Sequence, residues 1–119
     1  MATKTEIIPD DVKQYIPEIL SALKRALDID DFEIRIYYDS VTIKIPDIKV
    51  YIYKDLMRIM YKDIDIVYSN YVAAVKIYKD PYSDPDVYYI HDYWAQLEEI
   101  HELAKEKVKR RLEKVIEKL

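Results

Sequence analysis

The chain has 119 residues with a formal net charge of −4; 50% of the residues are apolar and 35% are charged. A chain of this length buries enough surface to fold as a single domain without a metal or a disulfide, so we expect one globular domain over residues 1–119. The sequence has no cysteine and no glycine, which excludes thiolate nucleophiles, thiolate zinc sites, P-loops and dinucleotide-binding glycine turns.

Hydropathy and charge also limit the expected partners. The apolar stretches are far shorter than the ~18 residues of a membrane span, and a polar segment rather than a signal sequence follows Met1. We therefore expect a cytoplasmic protein with no membrane partner. The negative net charge argues against a dedicated DNA-binding protein, because affinity for phosphates comes from clustered lysine and arginine.

The N-terminal quarter of the sequence predicts an arm followed by a helix. Residues 1–9 show no periodicity and form the arm, which ends at Pro9. Over residues 10–28 the apolar side chains recur every three or four positions, as on one face of a helix. Proline costs about 3 kcal/mol in a helix interior but little in the first turn. Because of Pro17, we expect a short turn near 10–15 and the main helix from residue 16 to residue 28.

Residues 32–79 alternate between apolar and polar positions, and this pattern predicts an antiparallel meander. The fourth run, 56–61, also fits a helical turn capped by Asp55, so the expected sheet has five or six strands. With a helix at 56–61, the order of elements resembles the secretion chaperones that bind effectors as dimers. The turns fall at polar dipeptides: Asp39-Ser40, Pro46-Asp47, Lys54-Asp55, Lys62-Asp63 and Ser69-Asn70.

The C-terminal part predicts a loop and a long helix. Residues 80–92 contain two prolines and four aspartates, which indicate a loop with room for a short edge strand at 87–90. Asp92 is the expected N-cap of a helix over 93–119. At 1.5 Å per residue this helix is about 40 Å long and exceeds the ~25–30 Å breadth of such a domain. Its apolar stripe is Trp94, Leu97, His101, Ala104, Val108, Leu112, Val115 and Leu119.

The predicted fold class is therefore α+β: an antiparallel meander of five or six strands, with an N-terminal helix and a long C-terminal helix on one face. The end of the long helix should extend past the domain, and its apolar stripe then needs a partner. We expect a homo-oligomer, in the first instance a dimer, that buries Leu112 and Val115.

Two sets of side chains have the chemistry of metal ligands. Glu98 and His101 form a Glu-x-x-His pair, but the second pair and the two further glutamates of a di-iron site are missing. The acidic loop lacks the glycine bend and the closing glutamate of a calcium loop. We therefore expect no metal, no cofactor and no catalytic residue, and we interpret His101 as a structural residue in an apolar seam. The loop carboxylates, interpreted as turn residues, are Asp80, Asp84, Asp86 and Asp92.

Tyrosine is the unusual component of the sequence, which contains 13 of them. If the alternating isoleucines and valines of the first three strands face the helices, tyrosines and lysines occupy the opposite face of the sheet. Such a face is typical of protein interfaces and of single-stranded nucleic-acid binders, and tyrosine is also common on solvated strands. The candidate partner-binding residues there are Tyr37, Lys44, Lys49, Tyr51 and Tyr53.

These patterns lead to three functional hypotheses. The first is a non-enzymatic, self-associating protein-interaction module of the regulator, adaptor or inhibitor type. The second is single-stranded nucleic-acid binding through the tyrosine and lysine face, which the net charge disfavours. The third is a small-molecule or metal-binding pocket between the sheet and the C-terminal helix near Trp94.

The composition resembles that of small orphan proteins of hyperthermophilic archaea and their viruses or plasmids. The resemblance lies in eighteen isoleucines, thirteen tyrosines, one asparagine and two glutamines, with a high content of lysine, glutamate and aspartate. It implies a thermostable protein of viral or archaeal origin. A designed chain would share the charged final helix but would normally carry glycine at its hairpin turns.

Overall fold

A computed structural model of the protein describes residues 8–118. Most of the predicted arm and Leu119, the last residue of the predicted stripe, lie outside these residues. In chain order the elements are α1 (Asp10–Lys13), α2 (Tyr15–Asp28), β1 (Glu33–Ile36), β2 (Val41–Ile45), β3 (Ile48–Ile52), β4 (Leu56–Tyr61), β5 (Ile64–Ser69), β6 (Ala73–Ile77), β7 (Asp86–Tyr89), a 3-10 turn (His91–Tyr93) and α3 (Trp94–Glu117).

The N-terminal helix is divided where Pro17 requires it. Because α2 begins at Tyr15, Pro17 lies in the first turn, where a backbone N–H has no partner within the helix. The short α1 precedes it and places Val12 against the core. The buried residues of α2 follow the predicted spacing and are Ile16, Ile19, Leu20, Leu23 and Leu27.

The strands form a seven-stranded sheet in which every strand pairs with its sequence neighbours, all antiparallel. The α+β class with an antiparallel sheet is confirmed, but the prediction of five or six strands is wrong. Residues 56–61 form a strand, because pairing on both sides and burial of Met57 and Ile59 outweigh the helix propensity of leucine and methionine. The element order that resembles the secretion chaperones is therefore absent.

The seventh strand lies in the acidic segment, one residue away from the short edge strand that the sequence allows at 87–90. Asp86–Tyr89 pairs with β6 at the edge of the sheet, and the amide of Ile90 donates to the carbonyl of Ala73 at 2.8 Å. The two prolines of the segment, Pro81 and Pro85, both precede this strand, so the backbone N–H groups needed for pairing are available.

Helices α2 and α3 lie side by side on one face of the sheet. Lys24 pairs with Glu99 at 2.8 Å and Asp30 with Lys107 at 3.0 Å, so the two helices run in the same direction. Together they cover the inner face of the sheet, whose buried residues are Ile43, Ile45, Ile48, Val50, Ile52, Met57, Ile59, Ile64, Ile66, Tyr68, Ala73 and Val75. Ile36, predicted for this face, is 54% exposed because β1 is an edge strand.

The start of α3 differs from the prediction. The 3-10 turn precedes the helix, and the amide of Tyr93 donates to the carbonyl of Ile90 at 2.9 Å. Tyr93 occupies the N-cap position without a side-chain hydrogen bond. The predicted Asp92 cap is therefore wrong, because Asp92 belongs to the 3-10 turn.

The long helix extends as far as its sequence suggests. Its 24 residues correspond to about 36 Å at 1.5 Å per residue, and the molecule measures 53 × 26 × 26 Å. The apolar stripe is buried from Leu97 to Val108, whereas Val115 and Ile116 are 58% and 66% exposed. The last two turns of α3 therefore present apolar side chains to solvent.

Candidate functional site

The sheet has a second face, here called the outer face, which lies opposite α2 and α3. In residues 8–118 no helix covers it. Strand register and alternation define its residues. One cross-strand row is Arg35, Thr42, Tyr51, Arg58, Val67, Ala74 and Tyr89. The adjacent row is Glu33, Lys44, Lys49, Met60, Asp65, Lys76 and Val87. At the strand ends, alternation adds Tyr37, Tyr53 and Tyr78.

Five of the seven predicted site residues lie together on this face. They line a shallow depression of about 240 Å³, and the remaining lining residues are Glu33, Arg35, Ser40 and Thr42. The two-residue turn between β2 and β3 fixes the register that places Lys44 opposite Lys49 and Thr42 opposite Tyr51. The five predicted residues are Tyr37, Lys44, Lys49, Tyr51 and Tyr53.

The tyrosine rings form a row of partly exposed aromatic surfaces. Tyr37 is 53% exposed, and Tyr51 and Tyr53 are half-buried between their neighbours. Tyr51 and Tyr53 are two residues apart on the same side of the chain, so their attachment points are about 7 Å apart. The amide of Tyr37 donates to the carbonyl of Ser40 at 2.8 Å, which holds the start of the β1–β2 turn.

Charge is distributed unevenly between this face and the rest of the protein. The two rows contain five cations, Arg35, Lys44, Lys49, Arg58 and Lys76, and two carboxylates, Glu33 and Asp65, although the whole chain has a net charge of −4. Lys44 and Lys49 are directly opposite each other on β2 and β3, an arrangement that destabilises a sheet when nothing neutralises it. The outer face is therefore a cationic surface on an acidic protein.

Arg58 and Asp65 form an ion pair at the centre of the outer face. Both Nε and Nη2 of Arg58 donate to Oδ2 of Asp65, at 3.2 and 2.7 Å. The Asp65 side chain is 1% exposed and that of Arg58 is 32% exposed. In the sequence, Arg58 and Asp65 occupy polar positions of the alternating segments 56–61 and 64–68, which indicates that they share a face. The predicted site residues of the sheet come only from the first three strands and therefore do not include this pair.

The other two predicted residues lie elsewhere. Leu112 is half-buried and packs against the core, whereas Val115 is exposed near the end of α3. The structure therefore separates the predicted site into the outer face and the apolar end of α3, on which Ile116 extends the exposed surface.

Arg111 is a structurally important residue that the sequence did not single out. Its Nη1 donates to the carbonyl of Phe32 at 2.8 Å, and its Nη2 donates to the carbonyl of Asp30 at 3.0 Å. The guanidinium also lies over the Phe32 ring, 3.9 Å from its centroid. Arg111 thus joins α3 to the connection between α2 and β1, where Asp30 adopts a left-handed backbone with φ of 58°. Residues 105–118 contain seven basic residues, and no sequence pattern distinguishes Arg111 among them.

Aromatic rings fill the space between the sheet and α3. Tyr68 packs edge-on against Trp94, with ring centroids 5.1 Å apart, and against His101, with centroids 5.4 Å apart. His101 is 5% exposed, whereas Glu98 is exposed. The Glu-x-x-His pair therefore has one member in the core and the other in solvent.

The environment of His101 disfavours its charged form. Burial, together with the positive charge of Lys105, lowers the pKa of His101 below its usual value of 6.5, although Glu102 and Asp55 act in the opposite direction. Nε2 is buried and has no hydrogen-bond partner among the described residues. His101 is thus a neutral core residue at neutral pH.

The acidic loop uses its carboxylates for local structure. Asp80 accepts hydrogen bonds from the Tyr82 amide at 2.8 Å and from the Ser83 hydroxyl at 2.9 Å, and these bonds lower the pKa of Asp80. Asp86 pairs with Lys79 at 3.2 Å. Within residues 8–118, no group of three or more histidines and carboxylates is placed to hold a metal ion.

Comparison of the chain with protein-family models, with curated proteins and with solved structures finds no match. Among the helices of residues 8–118, none combines the length and apolar character needed to cross a membrane.

Proposed function

We propose that the protein is a non-enzymatic, self-associating interaction module that binds its partner through the outer face. The observation that supports this function best is the outer face itself. No helix of residues 8–118 covers this side of the seven-stranded sheet, and three tyrosines and two lysines line one depression on it. Tyrosine contributes a large contact area at low entropic cost and is enriched at the centre of interfaces.

The outer-face tyrosines lie outside the buried core. The buried cluster consists of residues of the helices, of the inner face and of the connections at Phe32 and Ile90, whereas Tyr37, Tyr51 and Tyr53 are exposed or half-buried. Aromatic rings placed outside the core, beside a pair of facing lysines, favour an interaction role over a purely structural one.

The proposed self-association uses the end of α3. Val115 and Ile116 form an exposed apolar patch, and Glu113, Lys114 and Glu117 flank it with charges of both signs. A second copy of the helix, packed by two-fold symmetry, offers the same patch and complementary charges. This arrangement buries the part of the stripe that the domain leaves exposed.

Light scattering tests the self-association. We expect a dimer at about 100 µM protein, and a folded monomer for the double variant Val115→Asp, Ile116→Asp. Leu112 is left unchanged, because it packs against the core and its replacement would also test folding. The matched control is Lys109→Asp, which changes charge at an exposed position of the same helix and should remain dimeric. A monomeric wild-type protein contradicts the proposal.

Affinity capture from a cell lysate tests the binding face. Immobilised wild-type protein is compared with the triple variant Tyr37→Thr, Tyr51→Thr, Tyr53→Thr, here called the face variant. The control triple replaces three turn tyrosines that are more than 90% exposed, Tyr38, Tyr71 and Tyr82, by threonine. We expect the wild type and the control triple, but not the face variant, to retain the partner. Equal retention by all three proteins contradicts the proposed binding face.

A further inference from the structure

We infer that the partner of the outer face is a single strand of nucleic acid, held by its phosphates and by stacking of its unpaired bases. The inference rests on the proposed function, because it names the class of partner that the same face binds. Three features support it: the sign of the charge on the face, the succession of a cation and rings along β3, and the position of the depression on a broad sheet surface that does not enter a duplex groove.

The charge of the face selects an anionic partner. Arg35, Lys44 and Lys49 line the depression and outnumber its single carboxylate, Glu33. Lys44 and Lys49 repel each other across the ladder, and a bound phosphate offsets this repulsion. Because the protein as a whole is acidic, this local excess of cations does not follow from its composition.

The side chains along β3 place one cation and two rings in succession on the outer face. Lys49, Tyr51 and Tyr53 are successive residues on the same side of the chain, about 7 Å apart, and Arg58 is the cross-strand partner of Tyr51. Tyr51 therefore lies between Lys49 on its own strand and Arg58 on the next, and the charge of Arg58 is shared with Asp65. A single strand supplies one flat base and one negative charge in every nucleotide, and base stacking on an aromatic side chain contributes about 1–3 kcal/mol.

The same surface is unsuited to a duplex. Readout of double-stranded DNA requires a helix or a two-stranded ribbon that enters a groove, whereas the depression lies on the broad surface of β1, β2 and β3. Its rings can stack only on bases that are not already paired. An acidic peptide satisfies the lysines but has no flat ring in each repeat, so it uses the tyrosines less well.

Fluorescence anisotropy with a labelled single-stranded DNA of about 20 nucleotides tests the inference. The competing probes are the duplex of the same sequence, the single-stranded RNA of that sequence, and poly-glutamate. We expect the single strands to bind more tightly than the duplex or poly-glutamate. A preference for RNA over DNA supports the inference equally, since phosphates and unpaired bases are common to both.

Replacement of the two facing lysines tests the phosphate contacts through the salt dependence of the affinity. In the double variant Lys44→Gln, Lys49→Gln, we expect the affinity for the single strand to fall about tenfold at low salt. The slope of log K against log salt should decrease by about 1.4, which corresponds to two lost phosphate contacts. The matched control is Lys13→Gln, Lys109→Gln, which removes two exposed lysines from the helices and should leave the slope unchanged.

The ring variant separates stacking from charge. Tyr51→Thr should lower the affinity for the single strand at least about fivefold without changing the salt slope. The control Tyr82→Thr, at a tyrosine that is 97% exposed in the acidic loop, should bind like the wild type.

Several results would overturn the inference. Binding of poly-glutamate in place of the single strand, weakened by the same lysine variants, shows that the face binds an acidic protein; the proposed function then stands and the nucleic acid is excluded. The nucleic acid is also excluded if the lysine and Tyr51 variants lose no more affinity than their controls. It is excluded as well if the protein has no affinity for any single strand at low salt. In the latter case the capture experiment alone decides whether the outer face is a binding surface.

Discussion

Arg58 and Asp65 form an ion pair with a buried carboxylate on the side of the sheet that no helix of residues 8–118 covers, with two hydrogen bonds from the guanidinium to Oδ2 at 3.2 and 2.7 Å. The carboxylate is 1% exposed because it is short and lies between the longer side chains of Met60 and Lys76 on the neighbouring strands. The pair holds a cation in a fixed position next to Tyr51, in the middle of the proposed binding surface.

Removal of one member of this pair should destabilise the fold. Arg58→Met leaves the Asp65 carboxylate buried and unpaired, and we expect the free energy of unfolding in urea to fall by about 3–5 kcal/mol. The double variant Arg58→Met, Asp65→Leu removes both charges and should recover most of this loss. If the single and double variants have the same free energy of unfolding, the loss does not come from an unpaired buried carboxylate, and the prediction is wrong.

The buried His101 should make stability depend on pH. Its pKa in the folded protein lies below 6.5, so the unfolded chain binds a proton more readily than the folded chain. Stability should therefore be constant above pH 6.5 and fall as the pH decreases from about 6.5 towards the folded-state pKa. NMR titration of the imidazole resonances and urea unfolding at several pH values measure the two quantities.

The variant His101→Met separates this effect from general acid destabilisation, because it retains an apolar side chain of similar volume and cannot be protonated. Its stability should decline less than that of the wild type in the same pH range. His91→Gln, at an exposed position, is the control and should behave like the wild type. A measured pKa of His101 above 7 would show that its carboxylate neighbours, Glu102 and Asp55, outweigh burial.

Arg111 should be the most sensitive basic residue of α3. Arg111→Met removes its hydrogen bonds to the carbonyls of Phe32 and Asp30 and its contact with the Phe32 ring, and we expect a loss of about 2 kcal/mol. Arg111→Lys should recover only part of this, because an ammonium group cannot form the planar fork. Lys109→Met is the matched control. Equal free energies of unfolding for the Arg111→Met and Lys109→Met variants would show that the contacts of Arg111 do not stabilise the fold.

The sequence predicts the alternation of β2 and β3 correctly because each strand has one buried face, so a shift of one residue would expose every isoleucine. It does not decide residues 56–61, because the preference of Leu56 and Met57 for helices competes with pairing partners that are distant in the sequence. The sequence allows β7 as a short edge strand at 87–90, but its pairing with β6 is likewise a tertiary contact that the local pattern does not decide. Local patterns thus predict which residues share a face, while the strand count depends on tertiary pairing.

Individual contacts between elements are harder to predict than faces. Arg111 bonds to residues about 80 positions earlier in the chain, and no periodicity relates the two segments. The position of Val115 beyond the buried part of the stripe likewise depends on how far the sheet extends beneath α3. The sequence identifies Leu112 and Val115 as equivalent positions, and only the packed core distinguishes the half-buried leucine from the exposed valine.

We propose above that the outer face binds a partner and is not needed for the stability of the fold. The most direct measurement is the free energy of unfolding of the face variant, in which Tyr37, Tyr51 and Tyr53 are replaced by threonine, compared with that of the control triple at Tyr38, Tyr71 and Tyr82. Threonine keeps a strand-compatible residue at each position, so we predict that the face variant unfolds within about 2 kcal/mol of the wild type. A loss of several kcal/mol more than in the control triple would show that these tyrosines belong to the core and would contradict the claim.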